Sequence, residues 1–274
     1  MKKVILTFLS VLLMQTCAFA LDSAIKFIQV TDVHYEANNP YKVKVLQETV
    51  KDINRLKNVS FVVFTGDNLN NPNPTDLVGF IKAINKLNVP YYLVLGDHDV
   101  FKSKNLSKDQ YSEIVTNHNF FWLRRKWNYS FKEKGYRFLV VDGAKEIIPG
   151  SVGYYRADTR EWLDKQLTKY ANKPVIIFQH YPVLNMKEFG DGKLKTHGTY
   201  QPEKYFEVLD KHNNVLAILS GHFHINAEEM RNGVYHITTP TLIGTPHQYK
   251  IIDIISKEGL SPIIYTQLKE VEVE

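Results

Sequence analysis

The chain has 274 residues, 44% hydrophobic and 23% charged, which is ample for a buried core in one large domain or two small ones. Its formal charge of +5 includes no dense basic stretch, so there is no nucleic-acid-binding signature. A single cysteine, Cys17, excludes a disulfide scaffold and a thiolate metal cluster, and no internal repeat, low-complexity segment or linker interrupts the sequence.

In chain order, the first segment reads as a leader. Lys2 and Lys3 make a basic start, residues 4–14 are an apolar run too short to span a bilayer, and Ala18-Phe19-Ala20 is an A-x-A cleavage site. Residues 1–20 are expected to be a signal peptide, and residues 21–274 a single domain that is secreted or periplasmic and keeps no membrane anchor. Cleavage removes Lys2, Lys3 and Cys17, so the formal charge falls by two, from +5 to +3, and any metal must be held by oxygen and nitrogen donors.

Short apolar segments then alternate with helical patterns, which predicts an α/β fold. Strands are predicted over 27–30, 61–65, 91–95, 175–178 and 215–219. Leu46, Val50, Ile53 and Leu56 recur at helical spacing after the first, and Leu77, Phe80, Ile81, Ile84 and Leu87 after the second, with Pro74 near the start of that helix. Residues 102–130, with Phe120, Phe121, Trp122 and Trp127, admit two readings: a lid over a site, or a helical excursion with a small core of its own. Asp158 and Glu161 resemble a capping box opening a helix that carries Trp162, Leu163, Leu167 and Tyr170, and a further helix is expected over 203–211. Additional strands are predicted over 138–141, 235–238, 251–254 and 263–265; with few helices between the late ones, they suggest a second, more antiparallel sheet.

Metal-type side chains stand just past five of the predicted strands. They are Asp32 and His34 in D-V-H, Asp67 in G-D-N, Asp97 in G-D-H-D, His180 in Q-H-Y-P, and His222 and His224 in G-H-F-H. The carboxyl ends of neighbouring strands converge on one edge of a sheet, where α/β folds place their sites. Carboxylates mixed with imidazoles suit zinc, iron or manganese. Taken singly, Asp67 reads equally as a turn residue, and His222 and His224 as a surface pair. Their order along the chain favours a shared site.

These blocks, in this order from about residue 26 to about residue 225, resemble the calcineurin-like metallophosphoesterase superfamily, whose pattern is D-x-H, G-D, G-N-H-(D/E), H and G-H-x-H. D-x-H is similar to its cyclic-nucleotide phosphodiesterase-like branch. Purple acid phosphatases lack that histidine and carry a metal-bound tyrosine after G-D, whereas residue 70 here is Asn. The resemblance implies two packed mixed β-sheets flanked by helices and a cofactor of two metal ions, manganese, iron or zinc. It implies Asp67 as the bridge between them, Asp32, His34 and His224 on one ion, and Asp97, His180 and His222 on the other. It also implies His98 as a catalytic residue that protonates the leaving alkoxide or stabilises the transition state. Asp99 resembles the residue that orients this histidine through its ring N–H; a turn or N-cap carboxylate is the alternative.

The implied activity is hydrolysis of a small-molecule or lipid-head-group phosphate ester by a metal-activated water, with phosphodiesters favoured. One departure qualifies it: Asp97 stands where the family has Asn. A carboxylate binds metal, but it has no donor for a phosphate oxygen and adds a negative charge. This motivates two alternatives, a phosphomonoesterase and a non-catalytic metal- or phosphate-binding module. Among the other histidines, His197 lies in the loop over 190–198 and either reaches substrate or is solvated, His236 is expected to pack inside a strand, and His118, His212 and His247 have no motif context. Tyr181-Pro182 is expected to shape the turn that aims His180. The leader reading predicts Leu21 as the first residue of the extracytoplasmic protein by mass spectrometry; an intact Met1, or lipid on Cys17, contradicts it.

Overall fold

A computed structural model describes residues 23–119, 126–186 and 198–273. The expected signal segment with Cys17, the aromatics Phe120, Phe121 and Trp122, and His197 lie outside the described residues. In chain order the strands are β1 (Ser23–Val30), β2 (Val62–Thr65), β3 (Tyr91–Val94), β4 (Tyr129–Glu133), β5 (Tyr136–Val140) and β6 (Val175–Phe178). They continue with β7 (Val215–Ser220), β8 (Ala227–Arg231), β9 (Val234–Thr238), β10 (Gln248–Ser256) and β11 (Ile263–Glu270). The helices are α1 (Pro40–Arg55), α2 (Pro74–Ile84), α3 (Lys108–His118), α4 (Ala157–Lys169) and α5 (Pro202–Leu209).

Two mixed sheets result, ordered β11-β10-β1-β2-β3 and β4-β5-β6-β7-β9-β8. In the first, β1, β2 and β3 run parallel; in the second, β5, β6, β7 and β9 do. Parallel pairing needs crossovers; helices supply them except between β7 and β9, where the chain passes through the edge strand β8. Both α1 and α2 open on Asn-Pro. Asn39 and Asn73 accept from the first free backbone N–H groups, and Pro40 and Pro74 occupy the position where no N–H is needed. Strands β2 and β6, read as unbroken apolar runs, are buried on both faces. Between the sheets lies a cluster of aromatic rings: Phe27 stacks on Phe61 at 4.9 Å, and Phe61 meets Phe131 and Phe138 edge-on at 5.3 and 5.0 Å.

Two expectations are corrected and one omission is filled. The late strands β10 and β11 do not form a separate sheet. They extend the first one, β10 pairing antiparallel with β1 in a register that sets Phe27 opposite Ile252 and Ile25 opposite Ile254. Parallel pairing with β2 leaves the other edge of β1 open, and two antiparallel strands cover it. Second, α4 has no capping box. Arg156 precedes it without a side-chain cap, and Asp158 accepts from Thr159 N and pairs with Arg156. The capping box lies at α3, where Ser107 and Gln110 exchange side-chain and backbone hydrogen bonds. Third, β4 and β8 escaped the periodicity reading. Both are edge strands with half-exposed, mixed faces, and their signal is in the hairpin turns. Lys134-Gly135 and Asn232-Gly233 take positive φ at both residues, as two-residue hairpin loops require.

The described part of 102–130 is a helical excursion, but it has no separate core: Leu106, Tyr111, Val115 and Trp127 join the main hydrophobic core. Helix α3 packs on α2, buries Tyr111 and Val115, and sets the Tyr111 ring edge-on to Trp127 at 5.2 Å. His236 is buried in β9 as expected. No helix among the described residues is long and apolar enough to cross a membrane.

Beneath the carboxyl ends of β1 and β7, a buried side chain joins the sheets. Gln29 donates to Thr65 Oγ1 in the first sheet and to Ser220 O in the second, each at 3.0 Å, and accepts from Thr239 Oγ1 at 2.8 Å. Gln29→Leu strips partners from buried polar atoms, so urea unfolding of the metal-free protein should show a loss of roughly 1–3 kcal/mol. An unchanged midpoint would mean that the bridge contributes nothing to stability.

Candidate metal centre

The strands that carry the seven candidate ligands all end at one place. Asp32 and His34 follow β1, Asp67 follows β2, Asp97 follows β3, His180 follows β6, and His222 and His224 follow β7. The chain turns sharply there. Five of the seven, Asp32, His34, Asp67, His222 and His224, have φ between 44° and 68°. Side chains with a Cβ avoid this left-handed region, although Asp and His tolerate it better than most, and such outliers gather at functional sites. The turns are interlocked: Asp32 N donates to Gly66 O, His34 N to Asp67 O and Gly221 N to His180 O, each at 3.0 Å.

Donor atoms of Asp67, Asp97, His180 and His222 lie within 4.8 Å of one another, as do those of Asp32, His34 and His224. Asp67 faces both groups. Its Oδ1 is 3.4 Å from His180 Nε2, and its Oδ2 is 3.9 Å from His34 Nε2. Asp97 Oδ1 lies 3.4 Å from His180 Nε2 and 3.3 Å from His222 Nδ1, yet it is buried without a hydrogen-bond partner, as is His34 Nδ1. A buried, unpaired carboxylate oxygen this close to two imidazole nitrogens fits a shared cation better than a closed hydrogen-bond network. The mixture of carboxylate and imidazole suits manganese, iron or zinc.

Outer contacts choose which nitrogen each imidazole presents. His180 Nδ1–H donates to Thr65 O at 2.8 Å, leaving the Nε2 lone pair for the centre. His222 is reversed: its Nε2–H donates to Ser151 O at 2.7 Å, and Nδ1 faces inward. Carbonyl partners of this kind fix tautomer and ring orientation in metal sites. Asp32 Oδ2 accepts from Thr31 Oγ1 and His222 N, and its Oδ1 meets His224 Nε2 at 3.1 Å. Burial would raise the Asp97 carboxyl, but His180 and His222 outweigh it and hold the group well below the usual carboxylate range. Burial alone would likewise lower His180; the charge of Asp67 reverses that and raises it. A cation in the centre takes the place of the protons that these shifts favour. Phe223, between the two histidines of G-H-F-H, is buried with Met186 and Ala227.

His98 stands alongside, within reach of His34 and Asp67. Its backbone N donates to Asp67 Oδ1 at 3.0 Å, and its Nδ1–H donates to Asn70 O at 2.7 Å. This corrects the expectation for Asp99. That carboxylate does not touch the His98 ring; it is fully buried and accepts from Gly96 N, Leu69 N and Asn68 Nδ2, tying the second and third turns together. Burial and the nearby Asp67 charge push it up to about 7. The part expected of Asp99 falls to the Asn70 carbonyl. Backbone groups such as Asn70 O, Thr65 O and Ser151 O leave no trace in side-chain motifs, which is why sequence reading missed them.

Fold and site together define a metallophosphoesterase. The chain belongs to the calcineurin-like phosphoesterase family, whose model matches residues 25–226. It is 27% identical over 219 residues to a probable glycerophosphodiester phosphodiesterase of Arcobacter nitrofigilis, a match covering 77% of this chain and 76% of the relative. It is 24% identical over 226 residues to a 3′,5′-cyclic-nucleotide phosphodiesterase of Nostoc sp., covering 79% and 78%. Its fold is shared with a dimetal phosphatase from Danio rerio, with a TM-score of 0.65 at 17% identity over 91% of this chain and 99% of that one.

Because Asp67 faces both donor groups, elemental analysis after metal loading should find two ions per chain for the wild type and none for Asp67→Ala. One ion in the variant would remove Asp67 from the bridging role. Gly96 leaves no room beside that carboxylate: a Cβ there would lie 2.1 Å from Asp67 Oδ1 and 2.5 Å from Asp67 N. Gly96→Ala should therefore lower metal stoichiometry while far-ultraviolet circular dichroism stays native-like.

Proposed function

We propose that this hydrolase is an exported phosphodiesterase working with two ions of the manganese, iron or zinc type. The observation that carries the reading is the Asp67 carboxylate shared between two donor groups, with His98 beside it. The names of the relatives support a diester substrate, and the leader at residues 1–20 motivates export. An exported enzyme meets small extracellular diesters or lipid head groups rather than cytosolic nucleotides.

When bound, two ions supply Lewis-acid stabilisation of phosphoryl charge and make water more acidic. Asp67 would hold both; Asp32, His34 and His224 would hold one, and Asp97, His180 and His222 the other. The remaining chemistry belongs to His98. The Asn70 carbonyl takes its Nδ1–H, so Nε2 is the atom that faces the site and carries the mobile proton. An imidazolium at this point can deliver that proton to the leaving oxygen. The hydrogen bond from its own backbone to Asp67 keeps the ring in register with the metal ligands.

Asp97 favours diesters. Its Oδ1 faces His180 and His222, while Oδ2 lies 3.8 Å from His98 Nε2 on the open side. An amide would offer an N–H there; the carboxylate offers charge. A monoester dianion is repelled more than a diester monoanion.

Turnover of bis-p-nitrophenyl phosphate against p-nitrophenyl phosphate with added Mn²⁺ tests the reading, and the diester should be preferred. Turnover of neither would support the non-catalytic alternative that Asp97 motivates. His98→Ala should keep its metal and lose roughly 10²–10⁴ in rate with a poor leaving group. The loss should be small with p-nitrophenolate, which needs little protonation; equal losses would argue for a positional role. Asp97→Asn at saturating metal should raise monoester turnover roughly tenfold relative to diester, the worth of a regained hydrogen bond to a charged group. Loss of all activity would make the carboxylate an adapted part of the site.

A further inference from the structure

A groove of about 530 Å³ reaches the centre at its His98 edge, with Asp97 and His98 in its wall. Its other walls are mainly apolar, formed by Pro72, Phe101, Ile147, Ile148 and Pro149, with Asn71 and Lys104 as polar members. The volume is in the range of small-molecule sites. A larger cavity, about 710 Å³, lies beyond Ile147 and Ile148, but none of the seven candidate ligands lines it, nor does His98.

The wall that carries the isoleucines is pinned at both ends. Glu146 O accepts from Lys102 N at 2.8 Å, and Glu146 Oε2 accepts from Lys108 N at 2.6 Å. Five residues after Glu146, Ser151 O accepts from the candidate ligand His222. Between these anchors Ile147 and Ile148 are 71% and 77% exposed. Two adjacent, freely exposed isoleucines on a loop tied to the metal centre contribute nothing to the core. Apolar surface displayed this way beside a site marks a place where a ligand is met.

We propose, building on the phosphodiesterase reading, that this groove receives the leaving alcohol of the substrate and selects for an apolar one. His98 is the proton donor in that reading, and the groove lies on its side of the centre, so the group that departs is the one whose body occupies the groove. The natural substrate is then a phosphodiester whose leaving alcohol carries an alkyl or aryl body, with Ile147 and Ile148 closing over it.

Methyl aryl phosphates whose phenols bear para-methyl, para-propyl or para-pentyl groups test this, because the chain lengthens while the acidity of the phenol hardly changes. With the metal-loaded protein, kcat/KM should rise roughly two- to fourfold per methylene buried. A second series, p-nitrophenyl phosphates with a lengthening retained alkyl group, should show little dependence. In Ile147→Ser/Ile148→Ser, with its melting temperature checked, the para-pentyl ester should lose at least tenfold more than the para-methyl ester. Equal slopes in the two series, or an unchanged slope in the variant, overturn the inference. Calorimetric binding of the matching non-hydrolysable aryl phosphonates separates the two readings. If no diester is turned over yet phosphonate affinity climbs with chain length and flattens in the variant, the phosphodiesterase reading fails and the groove stands. If diesters are hydrolysed and neither rate nor affinity follows chain length, the groove inference alone fails.

Discussion

The Asp67 carboxylate must face donor groups from both sheets at once, and much of the surrounding structure serves that requirement. His34, on one side, follows a strand of the first sheet; His180, on the other, follows a strand of the second. The two sheets must therefore bring their carboxyl ends to one place. Edge-on phenylalanine contacts across the sheets, Phe27 on Phe178 and Phe61 on Phe138, fix their separation, and Gln29 ties their carboxyl ends together below the site. Gly96 lies so close to Asp67 that no side chain fits between them. A backbone N–H from His98 then fixes the orientation of the carboxylate. Removing any of these loosens the same bond set from a different direction.

The site is held against its own preferences. Left-handed backbone at five ligands, each disfavoured for residues with a Cβ, persists because turns from neighbouring strands brace one another through backbone hydrogen bonds. Asp99, buried and joined to both the second and third turns, braces them from behind. Carboxylates and imidazoles packed this closely are tolerable only when positive charge lies among them, as protons or as metal ions. Stability and metal binding are therefore linked in this protein: the crowding that strains the donors also favours a cation among them.

Much of this was legible in the chain. Unbroken apolar runs identified the buried strands, helical spacing found α1 and α2, and metal-type residues after each run named the cluster that the structure brings together. Those features depend on local pattern and on the rule that parallel strands present their carboxyl ends together. The edge strands β4 and β8 were obscured because half-exposed faces have no clean alternation, although Asn232-Gly233 announced one hairpin openly. The sheet that β10 and β11 join was not readable either, since pairing with β1 depends on which edge is left open, a property of the assembled sheet.

Residue identity alone determined the donor set, the absence of any cysteine from residues 21–274, and the extra charge at Asp97. Tertiary structure decided what those residues do to one another. It put Asn70 O, not Asp99, on the His98 ring, chose opposite nitrogens of His180 and His222 through carbonyls remote in the chain, and brought two exposed isoleucines beside His98. The reason is physical: side-chain chemistry is written residue by residue, whereas orientation is set by backbone groups and neighbours remote in the chain, which become defined only when the sheets close on each other.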